Sequence, residues 1–433
     1  MNSTALFTDR YELSMVAGAL RSHRADAECV FEVFARHLPP GRRFGVVAGL
    51  GRMFEAIQHF TFDDDDIAWL RSTGFDDEPT LDYLRRYRFA GSIDGYPEGE
   101  LFFPLSPVLT LRGTFAECVV LETLVLSILN HDCAVASAAA RMVLAARGRP
   151  LIDMGSRRTH ELAAVAAARA AHIAGFSTTS NLAAGRRYGI PTAGTASHAS
   201  VLLQGDEAAA FAAQVGVFGP ATTLLVDTYD ISQGIRTAVE VGGPDLTAIR
   251  IDSGDLGSLA EAARRQLDEL GNTATKILLS GDLDEYSIAA LAAAPVDAYG
   301  VGTSLVVGSG APTAGLVYKL VEVEGRRVAK RSDGKATIGG AKVGVRAHRA
   351  SGTAVEEFVV TDGAMSMLPA DRGDTFRTVS EPLWRDGGPV HAGGATIDEA
   401  RARCAMALGS LPWEGLSLGH GEPALPTTVL AAG

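Results

Sequence analysis

Carboxylates and a histidine stand at the ends of short apolar runs in the middle of the chain. Asp227 closes TTLLVD, Asp252 closes AIRID, and His198 lies among small and hydroxylated residues in GTASHAS. Carboxylates there can accept hydrogen bonds from sugar hydroxyls or hold Mg²⁺ through water, and a histidine could be a nucleophile or an acid/base. A structural role is also open for each residue taken singly, because a histidine can be an ordinary hydrogen-bonding group and an aspartate can cap a helix.

Arginines and glycine-rich corners accompany these groups. Arg250 precedes Asp252 by two residues, so both side chains would point to the same side of a strand. SGD at 280–282 and GVGTS at 300–304 supply glycines and hydroxyls at corners whose backbone N–H groups can bind phosphate. Arg157 follows a further apolar run, LIDMG. The residues alone therefore predict a site for a phosphorylated sugar.

Four apolar runs would position these corners: TTLLVD, AIRID, KILLSGD and DAYGVGTS. Between the second and third runs, apolar residues recur at helical spacing and a glycine follows where a helix commonly ends; these are Leu259, Ala263, Leu267, Leu270 and then Gly271. Apolar strands alternating with helices predict a parallel sheet buried on both faces, with ligands at the carboxyl ends of its strands. All four corners are therefore expected to face one site.

The rest of the chain is expected to divide around this region. We predict an α+β N-terminal domain over 1–112, an α/β barrel catalytic domain over 113–345, and a C-terminal segment over 346–433 that packs on the N-terminal domain. Local patterns predict a strand in AECVFEVFARHLP, a capping box at Thr114 and Glu117 that opens a long buried helix, and an antiparallel hairpin turning at Glu324 and Gly325. The end, from about Pro423, is expected to be disordered.

Composition excludes several classes of protein. The chain has 433 residues, of which 47% are hydrophobic, so it can bury a large core. A formal net charge of −12 argues against a nucleic-acid or membrane-surface partner. The 4 cysteines stand far apart without a CxxC pair, which favours buried thiols over a zinc site or a disulfide framework. Since neither a basic leader nor a long apolar run is apparent, we expect a soluble cytoplasmic protein.

These motifs, in this order, resemble those of nicotinate phosphoribosyltransferases. The resemblance covers roughly the first 345 residues and rests on TDRYELSM, FEVFARHLPPGRRFGVVAGLGR, PLSPVLTLRGTFAECVVLETLVLSILNH, GSRRTH, GTASHAS, LLVDTYD, IRIDSGDL, YGVGTSLV and YKLVEVEGRRVAKRSDGK. It implies an irregular, TIM-like α/β barrel of the type II phosphoribosyltransferases, with an α+β N-terminal domain completed by C-terminal strands. It also implies that nicotinate, phosphoribosyl pyrophosphate (PRPP) and ATP give nicotinate mononucleotide, pyrophosphate, ADP and phosphate, in NAD biosynthesis from nicotinate.

The resemblance also implies roles for individual residues. His198 matches the histidine that ATP phosphorylates, and Asp252 shares the catalytic role. The implied substrate contacts are ring stacking by Tyr11, nicotinate binding by Arg157, Thr195 and Arg250, ribose binding by Asp227 and Asp252, and a 5′-phosphate cradle of Gly281, Asp282, Gly302 and Thr303. Mg²⁺ is implied as the cofactor on the pyrophosphate, ATP as a co-substrate, and a homodimer with sites between subunits as the assembly.

The sequence departs from the family pattern at two places and leaves other functions open. The common EFG is here Asp153-Met154-Gly155, where the methionine sulfur could pack on an aromatic ring. Ser197 and Ala199 flank the histidine.

The alternative functions are those of a nicotinamide phosphoribosyltransferase, a quinolinate phosphoribosyltransferase and a non-catalytic metabolite-binding barrel. Ser180 favours nicotinate, because the nicotinamide enzyme carries an aspartate there that would repel a carboxylate.

Overall fold

The computed structural model describes residues 3–330, 337–369, 373–390 and 396–431. The chain divides into two compact units, which we call the sheet unit (Met1–Ser137 with Ala311–Gly433) and the barrel unit (Ala138–Gly310). Four short 3₁₀ helices occur among the described residues, at Ala5–Phe7, Leu291–Ala293, Met365–Met367 and Trp413–Leu416.

The helices and strands of the first third of the chain are α1 (Arg10–Arg21), β1 (Glu28–Ala35), β2 (Gly45–Val46), α2 (Leu50–Gln58), α3 (Asp64–Ser72), α4 (Glu78–Arg86), β3 (Ser92–Gly95), β4 (Leu101–Phe102), β5 (Leu109–Thr114), α5 (Phe115–Val119) and α6 (Glu122–Ala146). Thr114 and Glu117 form the predicted capping box, with both reciprocal hydrogen bonds present. The predicted strand is also confirmed as β1.

The middle of the chain alternates strands and helices: β6 (Leu151–Asp153), α7 (Glu161–Ala174), β7 (Thr178–Thr179), α8 (Leu182–Tyr188), α9 (His198–Gln204), α10 (Glu207–Phe218), β8 (Thr223–Leu225), α11 (Ile231–Gly242), β9 (Ala248–Ile251), α12 (Leu256–Glu269), β10 (Lys276–Leu279), α13 (Glu285–Ala290), β11 (Ala298–Val301) and α14 (Thr303–Val306). All four apolar runs contain a strand. The helix predicted after Asp252 is α12, and Gly271 follows its end with a φ of +84°.

The last third contains β12 (Leu316–Val323), β13 (Arg326–Arg327), β14 (Lys342–His348), β15 (Ala354–Thr361), β16 (Thr375–Thr378), β17 (Glu381–Arg385), β18 (Gly388–Pro389), α15 (Ile397–Gly409) and β19 (Thr427–Leu430). β12 and β13 form the predicted hairpin, and its turn residues Glu324 and Gly325 have φ of +49° and +73°, as a two-residue turn requires. Residues 331–335 of that motif lie outside the described residues. The disorder expected from Pro423 is wrong for Thr427–Leu430, which pairs in parallel with β15.

The barrel unit contains a parallel sheet of six strands in the order β7-β6-β11-β10-β9-β8. Its inner strands are apolar and buried, as in β10, where Ile277, Leu278 and Leu279 are all buried. This parallel half-barrel confirms the predicted α/β fold class. Because every strand runs the same way, their carboxyl ends lie at one edge, where the predicted corners begin.

The sheet unit is built around an antiparallel sheet of seven strands in the order β13-β12-β1-β5-β3-β17-β18. β1 pairs with β12 from Cys29 and Val323 to Ala35 and Leu316. This pairing joins the chain after residue 310 to the N-terminal residues, so the compact units have other bounds than the three segments predicted from sequence. A second sheet has the order β16-β14-β15-β19.

A buried ionic group, which we call the Arg346 cluster, occurs in the sheet unit. The Arg346 guanidinium, 1% exposed, donates from Nη1 to Glu100 Oε1 at 2.6 Å and from Nε to Glu357 Oε2 at 2.8 Å. Nη2 donates to the carbonyl oxygen of Leu101 at 2.8 Å. Burial would raise the pKa of Glu100, but Arg346 and Arg377 hold it below its usual value. Glu100 and Arg346 therefore stay charged at neutral pH.

One helical stretch of the described residues, Phe115–Ala146, is long and apolar enough to cross a membrane by length and composition alone. Two thirds of its most apolar window (67%) is buried within the protein, and core helices of this kind meet the same criteria. All four cysteines are buried and carry free thiols.

Candidate active site

Two adjoining cavities lie at the carboxyl ends of the barrel strands. The larger, which we call the base cavity, has a volume of about 450 Å³. Its lining includes Met154, Ser156, Arg157, Ser180, Thr195, His198, Arg250 and Asp252. The smaller, the phosphate cavity, has a volume of about 170 Å³ and is lined by Met154, Arg157, Arg158, Arg250, Asp252, Ser280, Gly281, Asp282, Gly300, Gly302 and Thr303. The two cavities share Met154, Arg157, Arg250 and Asp252.

The structure thus brings together ten of the twelve residues predicted from sequence. Asp227 lies behind them, with a side chain that is 1% exposed. Tyr11 belongs to the sheet unit, where it lies on α1 and is 48% exposed. Burial and the charges of Glu122 and Glu12 raise the pKa of its phenol to about 12, so it is a neutral aromatic ring at physiological pH.

His198 is the first residue of α9 and is oriented by Asp227. Its Nε2 lies 3.0 Å from Asp227 Oδ1. An ionised carboxylate can only accept hydrogen bonds, so Nε2 donates to Asp227, and in the neutral imidazole Nδ1 then carries the lone pair. The other carboxylate oxygen of Asp227 accepts from the backbone N–H of Asp252 and from Ser253 Oγ, both at 2.8 Å. Asp227 is therefore held from two sides.

Arg250 is fixed by three side chains. Its Nε donates to Ser280 Oγ at 2.7 Å, Nη1 donates to Thr195 Oγ1 at 3.1 Å, and Nη2 donates to Asp252 Oδ1 at 2.8 Å. The spacing of two residues in β9 therefore does place Arg250 and Asp252 side by side, as predicted. A guanidinium has five N–H groups, so one on each terminal nitrogen remains for a ligand.

Asp252 is ionised at neutral pH. Partial burial would raise its pKa, but hydrogen bonds from Ser280 and Arg250, together with the charge of Arg250, lower it below the usual value for aspartate. Ser280 Oγ lies 2.5 Å from Asp252 Oδ1, in the range of a charge-assisted hydrogen bond. The site thus holds a fixed negative charge where its two cavities meet.

The corner after β10 has an unusual backbone, and its first position, Gly281, has no room for a side chain. Gly281 has a φ of +111°, and a Cβ there would lie 2.3 Å from the carbonyl oxygen of Asp252. Asp282 follows in the left-handed region with a φ of +47°. Within the described part of the chain, the backbone N–H groups of these two residues have no protein partner. Such N–H groups are ready to bind an anion.

Sequence reasoning missed several residues that support this site. In the sequence, Ser280 counts only among the hydroxyls of the SGD corner; the structure shows that it is 2% exposed and joins Arg250 to Asp252. Asp153 and Thr179, at the ends of β6 and β7, are joined by a hydrogen bond of 2.6 Å. No local signal could have found that pair, because the contact depends on the order of the strands.

The residues fit a magnesium ion only together with a substrate. Among the described residues, no three His, Cys, Asp or Glu side chains cluster in a way that could hold a metal. Mg²⁺ commonly takes one or two carboxylates and completes its shell with water and phosphate oxygens. Both oxygens of Asp227 already accept hydrogen bonds, so Asp252 is the better carboxylate ligand.

Comparisons with known proteins identify the family. Residues 6–130 match the model of the nicotinate phosphoribosyltransferase (NAPRTase) N-terminal domain, and residues 135–308 match that of the quinolinate phosphoribosyl transferase C-terminal domain. The chain is 58% identical to nicotinate phosphoribosyltransferase pncB1 of Mycobacterium tuberculosis, over 99% of this chain and 95% of that protein. It is 39% identical to nicotinate phosphoribosyltransferase of Bacillus subtilis, over 75% of this chain and 68% of that protein.

Solved structures share the fold. Nicotinate-nucleotide pyrophosphorylase from Pyrococcus furiosus superposes with a TM-score of 0.78 at 26% identity, covering 93% of this chain and 94% of that one. Human nicotinic acid phosphoribosyltransferase superposes with a TM-score of 0.81 at 24% identity, covering 98% and 97%. The fold is therefore that of the type II phosphoribosyltransferases. Given the 58% identity over almost the whole chain, this protein belongs to the nicotinate phosphoribosyltransferase family.

Proposed function

We propose that the protein forms nicotinate mononucleotide and pyrophosphate from nicotinate and PRPP, coupled to ATP hydrolysis through a phosphorylated His198, in NAD biosynthesis from nicotinate. The observation that carries the proposal is the fixed guanidinium of Arg250 at the junction of the base and phosphate cavities. This guanidinium has two remaining N–H groups that can donate to a carboxylate. Arg157 and Ser180 line the same base cavity.

The base cavity suits a small anionic ring. A carboxylate prefers a guanidinium that can donate two parallel hydrogen bonds, and Arg250 and Arg157 both line this cavity. Ser180 and Thr195 also line this cavity, and the hydroxyl of Ser180 can add a donor. These groups support nicotinate over nicotinamide, since an uncharged amide would gain less from two arginines.

The phosphate cavity suits the 5′-phosphate of PRPP. Gly281, Asp282, Gly302 and Thr303 line it, and Thr303 begins α14. Free backbone N–H groups at Gly281 and Asp282 would donate to phosphate oxygens, and Arg157 and Arg158 would balance the charge. The ribose between the two ends would then lie against Asp252, which lines both cavities.

The carboxylate of Asp252 supports the transfer step. The ring nitrogen of nicotinate forms a bond to the anomeric carbon as the bond from that carbon to the pyrophosphate oxygen breaks, so positive charge develops on the ribose. An ionised carboxylate beside the ribose stabilises that charge. Mg²⁺, held by Asp252 together with the pyrophosphate oxygens, would supply charge neutralisation of the leaving group.

His198 supports the coupling to ATP. With Nε2 donating to Asp227, Nδ1 can attack the γ-phosphorus of ATP, and the bond from that phosphorus to the ADP oxygen breaks. Water later displaces the phosphoryl group from the imidazole and releases phosphate. A phosphoryl group changes the charge beside the base cavity, which would alter the binding of PRPP and its products.

We also propose ring stacking by Tyr11 and assembly as a homodimer, which rest on the family membership, and residence in the cytoplasm, which rests on the sequence pattern. Direct interaction with nucleic acid or a membrane is not part of the proposal, given the net charge of −12.

One assay tests the proposal. The protein is mixed with ATP, Mg²⁺, PRPP and either nicotinate or nicotinamide, and the product nucleotide is identified by mass while ADP is measured in parallel. We expect nicotinate mononucleotide, with ADP formed only when the substrates are present. Nicotinamide mononucleotide as the main product would assign the nicotinamide reaction instead. Absence of any nucleotide and of ADP would favour a metabolite-binding barrel.

A further inference from the structure

Three segments of the barrel unit line the base cavity next to one another. They are the corner after β6 (154–157), the corner after β7 (180–181) and the segment that leads into α9 (193–198). Asp153 and Thr179 end β6 and β7 directly behind these segments, and their exposed fractions are 2% and 1%. A ligand in the cavity would contact the segments and not this buried pair.

Asp153 binds the two corners through both its side chain and its backbone. Its Oδ1 accepts from the N–H of Gly155 at 2.8 Å, and its Oδ2 accepts from Thr179 Oγ1 at 2.6 Å. Its carbonyl oxygen accepts from the N–H of Ser180 at 2.8 Å. One residue therefore sets the position of the corner that carries Arg157 and of the corner that carries Ser180.

Thr179 extends these contacts to the third segment. Its N–H donates to the carbonyl oxygen of Pro191 at 3.1 Å, and its carbonyl oxygen accepts from the N–H of Ala193 at 3.0 Å. Its hydroxyl also accepts from the N–H of Asn181 at 3.0 Å. The segment tied to Thr179 in this way continues to Thr195 and His198.

A last hydrogen bond closes the group of contacts. Asn181 Nδ2 donates to Ser156 Oγ at 3.1 Å, from the corner after β7 back to the corner after β6. Burial raises the pKa of Asp153, and the hydrogen bonds from Thr179 and Gly155 act against that rise. The distance of 2.6 Å to the hydroxyl is typical of a hydrogen bond to a charged acceptor.

We propose that Asp153 and Thr179 are positioning residues that set the geometry of the base cavity and thereby its choice of pyridine base. The inference rests on the proposed function, because it takes the base cavity as the site of nicotinate. A site must be held within about half an ångström to recognise its ligand, and this pair fixes the segments that carry Arg157, Ser180 and Thr195. The hydroxyl of Thr179 is hydrogen-bonded to Asp153 and to the N–H of Asn181, and neither of these residues lines the phosphate cavity.

The test compares Thr179→Val, which keeps the shape but removes the hydroxyl, with Thr179→Ser, which keeps the hydroxyl. Kinetics are measured with nicotinate, nicotinamide and PRPP varied separately, and melting temperatures are recorded. For Thr179→Val we expect the KM for nicotinate to rise about tenfold and the preference for nicotinate over nicotinamide to fall. The KM for PRPP should rise much less, because only Met154 and Arg157 of the three segments also line the phosphate cavity. Thr179→Ser should restore all three values.

A second variant, Asp153→Asn, replaces the carboxyl group, whose two oxygens accept from Gly155 and Thr179, with an amide that has one acceptor oxygen, and it should change the same constants in the same direction. Wild-type constants in Thr179→Val, or an equal rise in both KM values together with a lower melting temperature, would overturn the inference. So would failure of both variants to fold, because the pair would then serve the fold as a whole. If the wild-type protein makes no nicotinate mononucleotide, the proposed function itself fails before the variants are compared.

Discussion

His198 Nε2 lies 3.0 Å from Asp227 Oδ1, and the second oxygen of Asp227 accepts the backbone N–H of Asp252. One buried carboxylate thus joins the histidine proposed to carry phosphate to the corner proposed to hold the ribose. A change in the charge of the imidazole would alter its hydrogen bond to Asp227 and, through that carboxylate, the hydrogen bond to the backbone N–H of Asp252. This contact would give a short physical route from the proposed ATP hydrolysis to the proposed binding of PRPP.

The histidine is tested first. His198→Asn should abolish ATP hydrolysis and the acid-labile labelling of the protein by γ-³²P-ATP, because asparagine cannot form the phosphorylated intermediate. A slow transfer from PRPP that does not depend on ATP should remain, since Arg250, Asp252 and the phosphate cavity are unchanged. Labelling is measured after a short incubation, and transfer is measured as nicotinate mononucleotide formed.

His420→Asn is the matched control, because His420 is solvent-exposed and belongs to the sheet unit. It should label and turn over like the wild type. Incorporation of label by His198→Asn, or loss of its basal transfer together with ATP hydrolysis, would show that His198 only orients other groups.

Asp252 is tested by removing its charge alone. Asp252→Asn is nearly isosteric, so we expect the melting temperature to stay close to that of the wild type while turnover falls by about two to three orders of magnitude, as when one preorganised electrostatic group is lost. The measurement is kcat with both substrates saturating, together with the melting curve. A kcat within about twofold of the wild-type value would show that Asp252 is not a catalytic residue.

The sequence predicted those parts of the site that local spacing determines. Arg250 and Asp252 stand two residues apart in one strand, so their shared orientation follows from strand geometry. Gly271 and the capping box at Thr114 are likewise local signals. The order of the strands is not local: β6 lies between β7 and β11, although about 140 residues separate β6 from β11 along the chain.

For this reason the contacts between corners could not be predicted. Ser280 reaches Arg250 and Asp252 from the neighbouring strand, and Thr179 reaches Asp153 in the same way. The strand Thr427–Leu430 was also missed, because its four residues gain order only by pairing with β15. In each case the deciding contact is between residues that are distant in sequence.

Ser180 tests the choice of base. Ser180→Asp should shift the preference from nicotinate toward nicotinamide, since a carboxylate in that wall repels nicotinate and can accept from an amide NH₂. The ratio of kcat/KM for the two bases is the measurement. Ser180→Ala separates the loss of a donor from the gain of a charge and should change the ratio less. If Ser180→Asp lowered kcat/KM equally for both bases, this position would not distinguish the carboxylate of nicotinate from the amide of nicotinamide.

Removing Arg346 should destabilise the sheet unit more than removing a surface arginine. Arg346→Met leaves Glu357 buried without the guanidinium of Arg346 and leaves Glu100 with that of Arg377 alone, and breaking a buried pair costs about 3–5 kcal/mol. Arg24→Met is the control: Arg24 pairs with Glu324 at 3.0 Å on the surface, where its side chain is 47% exposed, and a surface pair contributes about 0–1 kcal/mol. Urea unfolding of both variants measures the difference.

The same cluster predicts the direction of a pH effect. The pKa of Glu100 is lowered in the folded protein, so its contribution is fully present above the unfolded pKa of about 4.3 and is lost as the pH falls through the folded value. The difference in unfolding free energy between wild type and Arg346→Met should therefore shrink as the pH is lowered below the unfolded pKa of Glu100. A difference that stays constant to pH 3, or one no larger than that of Arg24→Met at neutral pH, would contradict the role of the cluster.

Gly281 and Gly271 together test the phosphate cavity, because both have positive φ but only one has a close neighbour. A Cβ at Gly281 would lie 2.3 Å from the carbonyl oxygen of Asp252, whereas a Cβ at Gly271 would meet no atom within 4 Å. Gly281→Ala must therefore displace the corner whose N–H groups are proposed to bind the 5′-phosphate, and Gly271→Ala need only accept backbone strain of about 1 kcal/mol. We expect the KM for PRPP to rise at least about tenfold in Gly281→Ala and to stay unchanged in Gly271→Ala, with nicotinate saturating in both assays. Equal KM values for PRPP in the two variants would show that the 5′-phosphate does not bind at this corner.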